Sequence, residues 1–180
     1  MKTLRLISLI SDDHPGIVDA IAEKIADIGG SWLESRLSKL SGKFAGVIRV
    51  SIDSDKVEAL ETALYELSQQ GIWSRVDAVS EGEPKTQTNN KVGYVHLLGP
   101  DRKGIVRELS KALVSEQINL SNLETSLSSM PYSGEPLFEA TGELEIPNNV
   151  DIQAFHDKLY EIGDALALDI SFSEKPFDSQ

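Results

Sequence analysis

The sequence predicts an α+β protein built as two tandem ferredoxin-like βαββαβ units. Three observations carry that expectation. The run Asp13-His14-Pro15-Gly16-Ile17-Val18 returns as Asp101-Arg102-Lys103-Gly104-Ile105-Val106, 88 positions further on. Each copy is preceded by an apolar run and opens a helical stripe, the signature of a duplicated supersecondary unit. Between the copies lies Ser80–Asn90, polar and free of apolar residues, which reads as a linker. The expected division is a first domain over 1–79, a linker over 80–90 and a second domain over 91–180.

Each element follows from its own pattern. Leu4, Leu6, Leu9 and Ile10 predict the first strand, and Val92, Tyr94, Val95, Leu97 and Leu98 its counterpart. Ile17, Ile21, Ile25 and Ile28 recur at helical spacing, as do Ile105, Leu109, Ala112 and Leu113. Strands over 33–40 and 44–52 flank the turn Ser41-Gly42, with Val47, Ile48, Val50 and Ile52 supplying β-branched residues. A second helix is marked by Val57, Leu60, Leu64 and Leu67, with Asp55 and Glu58 offering a capping-box-like start. Ile152, Phe155, Leu159 and Ile162 repeat that stripe 95 positions on, so the second unit gains seven residues between its helices. The turn-rich segment 128–136 is where they are expected, as a longer hairpin. Ile72, Val76 and Val79 predict a closing strand, and Leu166, Leu168, Ile170 and Phe172 alternate as its partner.

Composition removes several function classes. The 180 residues carry 17 Lys plus Arg against 29 Asp plus Glu, a formal net charge of −12. Both halves are acidic, which opposes sequence-independent binding to phosphate backbones. Aromatics are only 6%, too few for a base-stacking sheet, and no basic-aromatic box lies on the strands. Trp32 and Trp73 read as packing or interface residues. Cysteine is absent, excluding disulfides, thiolate metal sites and a cysteine nucleophile. No stretch approaches the ~18 apolar residues of a membrane span, and no secretory leader pattern is present, so a cytoplasmic location is expected.

The strand-to-helix loop of each unit is the candidate site. A helix start offers free N–H groups and a positive dipole end to an anion, and Gly16 and Gly104 leave room for close approach. The alternative, that Asp13 and Asp101 cap helices while the glycines serve the turn, stands beside it. His14, His96 and His156 show no metal-ligand spacing, and no nucleotide-binding glycine loop occurs. No enzyme, metal site or cofactor is therefore expected. A small hydrolase or transferase using His14 with Asp12 or Asp13 is the remaining catalytic reading.

These residues also resemble a known family. A βαββαβ unit with D-[HR]-x-G-I-V after its first strand is similar to an ACT domain. Two such units in one short chain, with Ser35-Arg36-Leu37 on a strand of the first, resemble the glycine cleavage system transcriptional repressor family. The resemblance implies binding of a small amino acid, glycine in particular, and action on a LysR-type transcription activator without contact to DNA. An ACT-type regulator of a metabolic enzyme is the runner-up. Paired ACT units also imply a homo-oligomer. Carried over by position, the ligand loop comprises Asp12, Asp13, His14, Gly16 and Ile17, then Asp101, Arg102, Gly104 and Ile105. The family often has Asn after the first helix, where this chain has Ser31 and Asn119. If that amide orients the ligand, the second unit is the better binder. His14 replaces the more usual Arg, present as Arg102, and makes the charge there depend on pH.

Overall fold

The computed structural model folds as two compact units, described over residues 1–79 and 90–177. The linker reading over 80–90 therefore lies outside the described residues except at Asn90. The first unit runs β1 (Lys2–Asp12), α1 (Ile17–Asp27), β2 (Ser31–Leu40), β3 (Lys43–Asp53), α2 (Val57–Glu66) and β4 (Trp73–Ala78). The second repeats it as β5 (Lys91–Pro100), α3 (Ile105–Ser115), β6 (Asn119–Ser129), β7 (Pro136–Ile146), α4 (Ile152–Leu166) and β8 (Asp169–Ser173). Their antiparallel sheets have the orders β2-β3-β1-β4 and β6-β7-β5-β8. The α+β, twice-ferredoxin-like expectation is what the chain adopts.

Period-two alternation decides which sheet face meets the helices. Ile7, Leu9, Ile48, Val50 and Ile52 point to one side and close a core with Ile21, Ile25, Leu60 and Leu64. Val95, Leu97, Ala140, Leu144 and Ile146 do the same against Leu109, Leu113, Phe155 and Leu159. Among the described residues, each unit places its own helices on this one face of its sheet. Even an irregularity is duplicated: one extra residue bulges β2 between Trp32 and Glu34, and another bulges β6 between Leu120 and Asn122.

Register locates the seven extra residues. Ile7 pairs with Ile48, and Val95 with Gly142, so β7 is displaced by 94 positions from β3 while β5 is displaced by 88 from β1. Six of the seven therefore lengthen the β6–β7 hairpin, and one enters the β7–α4 connection. The short hairpin turns through Ser41 and Gly42, both at positive φ (49° and 77°), a two-residue turn whose twist suits the strands. The long one closes with the Met130 N–H donating to the Glu135 carbonyl (2.8 Å).

Two local expectations are corrected. Leu166 ends α4 instead of opening a strand, because the last helical turn and the β8 strand share the same apolar stretch. Ser54–Lys56 forms a 3-10 turn before α2, and no side chain caps that helix, so Asp55 is not a capping-box residue. The cap the pattern missed belongs to α4. The Asp151 carboxylate accepts from the Gln153 and Ala154 N–H groups at 2.9 and 3.2 Å, satisfying two otherwise orphaned donors.

Candidate functional site

The two strand-to-helix loops share one backbone geometry. Gly16 and Gly104 are the N-cap residues of α1 and α3, both at φ 98°, with ψ of −6° and 0°. Their carbonyls accept from the Ala20 and Glu108 N–H groups, both at 2.9 Å. A Cβ at either glycine would meet nothing within 4 Å. The glycine is thus required by its left-handed backbone, which a side chain disfavours, rather than by crowding. The space above it is open.

The aspartates do not cap these helices, since neither N-cap has a side-chain hydrogen bond. Their backbones anchor the loops instead. The Asp13 N–H donates to the Gly42 carbonyl (2.9 Å) and the Asp101 N–H to the Pro136 carbonyl (3.0 Å), tying each loop to the end of its hairpin. Side-chain electrostatics then differ. In the first unit Asp12 pairs with Lys43 and Asp13 with Lys39. The Lys43 hydrogen bond, helped by its charge, holds the Asp12 carboxyl below its ordinary pKa. The His14 Nδ1 lies 3.0 Å from the Pro15 carbonyl, as a donor to it. In the second unit, among the described residues, Asp101, Arg102 and Lys103 form no ion pairs.

Asp13, His14, Gly16 and Ile17 line a cleft of about 500 Å³ with Val18, Ala22 and Phe44. Ile17 and Ile105 are buried at the first helical position, so their side chains belong to the cores and only their backbones can serve a ligand. Ser31 and Asn119 are not part of these loops within a unit. Ser31 pairs with Ser51, which pairs with Leu4, whereas the loop follows Asp12. Eight strand positions at about 3.4 Å each place it roughly 27 Å away. Asn119 is equally remote from Pro100 by way of Glu145 and Val92, and its amide donates to the Glu145 carboxylate (3.0 Å). The pattern missed Lys39, Lys43 and Phe44, which hairpin pairing brings to the first loop from about 30 residues away and which carry no local signal.

Elsewhere, His96 lies outside the loops. It stands on the open face of the second sheet, its Nε2 2.9 Å from Glu139 Oε1. His156 is exposed on α4. Among the described residues no cluster of three His, Cys, Asp or Glu side chains is arranged to hold a metal, and no helix is long and apolar enough to cross a membrane.

The duplicated βαββαβ frame with these loops is shared with known proteins. Residues 3–72 match the sequence model of the ACT domain family. The first unit is an ACT domain, and the chain as a whole has a tandem ACT-like fold. A crystal structure of an unknown protein from Galdieria sulphuraria superposes with a TM-score of 0.82 at 23% identity, spanning 96% of this chain and 98% of that one. The crystal structure of a proposed glycine cleavage system transcriptional repressor superposes at 0.68 and 17% identity, spanning 96% and 97%. No curated protein sequence matches the chain at a significant level.

Proposed function

We propose that this chain is an amino-acid-responsive regulatory protein that acts through a protein partner rather than on DNA. The observation that carries the reading is the loop built twice with the same left-handed glycine at a helix start, open to solvent above it. An amino acid suits it chemically. The helix N-terminus receives the carboxylate, and a loop aspartate receives the ammonium group.

The second loop is the stronger candidate on charge. Arg102 and Lys103 reinforce the dipole for a carboxylate, and Asp101 keeps its carboxylate for the ammonium, whereas Asp12 and Asp13 already hold lysines. The case for the second unit rests on its loop cations. Glycine is the first ligand to try, and a LysR-type activator the first partner, because those are what the family resemblance implies. The proposed glycine cleavage repressor of like fold supports the direction of the test. Regulation follows if the ligand prefers one of two arrangements of the protein, with a coupling on the order of 1–3 kcal/mol.

Calorimetric titration of the full chain with glycine and the other common amino acids tests this. Expected is saturable binding by at least one of them, lost in Asp101→Ala and retained in Asp13→Ala. The reverse loss moves the site to the first unit. Absence of binding by any amino acid at millimolar concentration overturns the reading.

A further inference from the structure

The second unit carries a long hairpin tip that the first unit does without. Ser41 and Gly42 alone join β2 to β3, whereas Met130–Glu135 stand between β6 and β7. A two-residue turn suffices to close such a strand pair, so the sheet does not require the longer tip. At its apex Tyr132 is fully exposed and holds φ 75°. The Ser133 N–H donates to the Pro131 carbonyl across it (3.1 Å), a three-residue turn of the rare, strained kind. A bulky residue keeps such a backbone only where its surroundings dictate it. Here the Met130 N–H donates to the Glu135 carbonyl (2.8 Å) and the Gly134 N–H to the Met130 carbonyl (3.1 Å). The Glu135 N–H donates to the Ser133 Oγ at 3.3 Å. The aromatic ring is thus held on a hydrogen-bonded mount with its whole surface in solvent.

A large aromatic on a stiff mount is the kind of side chain that dominates protein contacts, since it brings contact area at small entropic cost. Its surroundings state the chemistry of what it fits. Residues 128–136 contain no Lys or Arg and one acid, Glu135, on a chain of net charge −12. An apolar pocket that admits a phenol and is rimmed by Lys or Arg complements that tip, and the charge steers such a partner toward it. The same charge opposes a nucleic acid. Position also joins the tip to the candidate ligand loop. Pro136, at its base, accepts the Asp101 N–H at 3.0 Å.

We propose that the Met130–Glu135 tip is the surface by which this chain holds its protein partner, with Tyr132 as the anchor in an apolar pocket that has a basic rim. The proposal rests on the reading that the chain acts through a protein, and it names the contact. An amino acid bound at residues 101–104 sits one backbone hydrogen bond from the base of that surface, where its binding and the partner's can be coupled.

Photocrosslinking of the full chain in its own cells tests the proposal, with benzoylphenylalanine in place of Tyr132 or, as a control, of the exposed Tyr160 on α4. The captured protein is then purified and titrated against the chain. Expected is a crosslink to one protein from position 132 and not from 160. The Kd for that protein should weaken about tenfold or more in Tyr132→Ala, and similarly when residues 129–136 are replaced by Ser-Gly. The glycine of that short turn can accept the Asp101 N–H as Gly42 accepts that of Asp13. Circular dichroism of each variant, unchanged from the parent, separates lost docking from lost folding. No crosslink from position 132, equal crosslinks from both positions, or a Kd that neither variant changes overturns the proposal. Parallel titration with amino acids tells the two readings apart: a chain that binds none of them yet loses its partner with Tyr132 fails as a sensor and keeps this docking surface.

Discussion

The two units are twins inside and strangers outside. Most of their core positions correspond by register, Leu60 answering to Phe155 and Ile52 to Ile146, and their loops share a glycine with nearly the same dihedral angles. Outward positions share little: the first sheet shows lysine and arginine ion pairs around Trp73, the second five carboxylates (Glu124, Glu139, Glu143, Glu145 and Asp169) with no lysine or arginine among them. Burial constrains a residue through packing, and φ constrains a turn through sterics, whereas a solvated position is constrained only by what it must bind. Where the units differ is therefore where function should be sought.

The strongest challenge to the twinning is a core truncation. Phe155 is fully buried and meets Phe172 edge-on at 5.7 Å. Phe155→Ala should cost about 3–5 kcal/mol, and Leu60→Ala about 2–5, by urea denaturation. A loss well below that at either position would mean the two cores are not equivalent in tightness.

The next contrast is Gly46 against Ala140. The two occupy the same register position, yet a Cβ on Gly46 would lie 2.0 Å from the Arg36 carbonyl oxygen, while Ala140 fits in the core at 2% exposure. Gly46→Ala should destabilise by about 1–3 kcal/mol through forced movement of β2. Ala140→Gly, which creates no clash, should cost about 1 kcal/mol or less. Equal effects would show that β2 gives way freely.

Capping gives a smaller and more selective difference. Asp151→Ala removes the only side-chain cap seen on the four α-helices among the described residues and should lower stability by about 1 kcal/mol. Asp101→Ala, at a residue that caps nothing, should change it by less than about 0.5 kcal/mol. Thermal melts of the two variants side by side check the contrast.

The smallest effect concerns pH. Lys43 depresses the folded-state pKa of Asp12 below its ordinary value of 3.8. The contribution of this pair is present above that value and fades as pH falls through the lowered folded pKa. Asp12→Asn should therefore flatten the acid limb of the stability profile slightly and leave it unchanged near neutrality. No flattening would mean that the pair is screened by solvent.

Much of this was legible in the chain. Stripes such as Ile17-Ile21-Ile25 and Val57-Leu60-Leu64 state helices because one face must be buried, and the repeated D-x-x-G-I-V marks the loop because only glycine adopts that φ without strain. Leu166 misled because an apolar residue at a helix end and one at a strand start look alike when each is read alone. Asp55 misled because a capping pattern is short enough to arise beside a 3-10 turn.

Length, acidity, duplication and the identity of the buried residues were determined by the sequence itself, since local periodicity and steric preference act within a few residues. Only the tertiary structure decided that Lys39 and Lys43 hold the first loop's aspartates, that Asn119 lies at the far end of its sheet from Asp101, and that five carboxylates share one open face. Those are facts of strand register, and register joins residues that the chain keeps tens of positions apart.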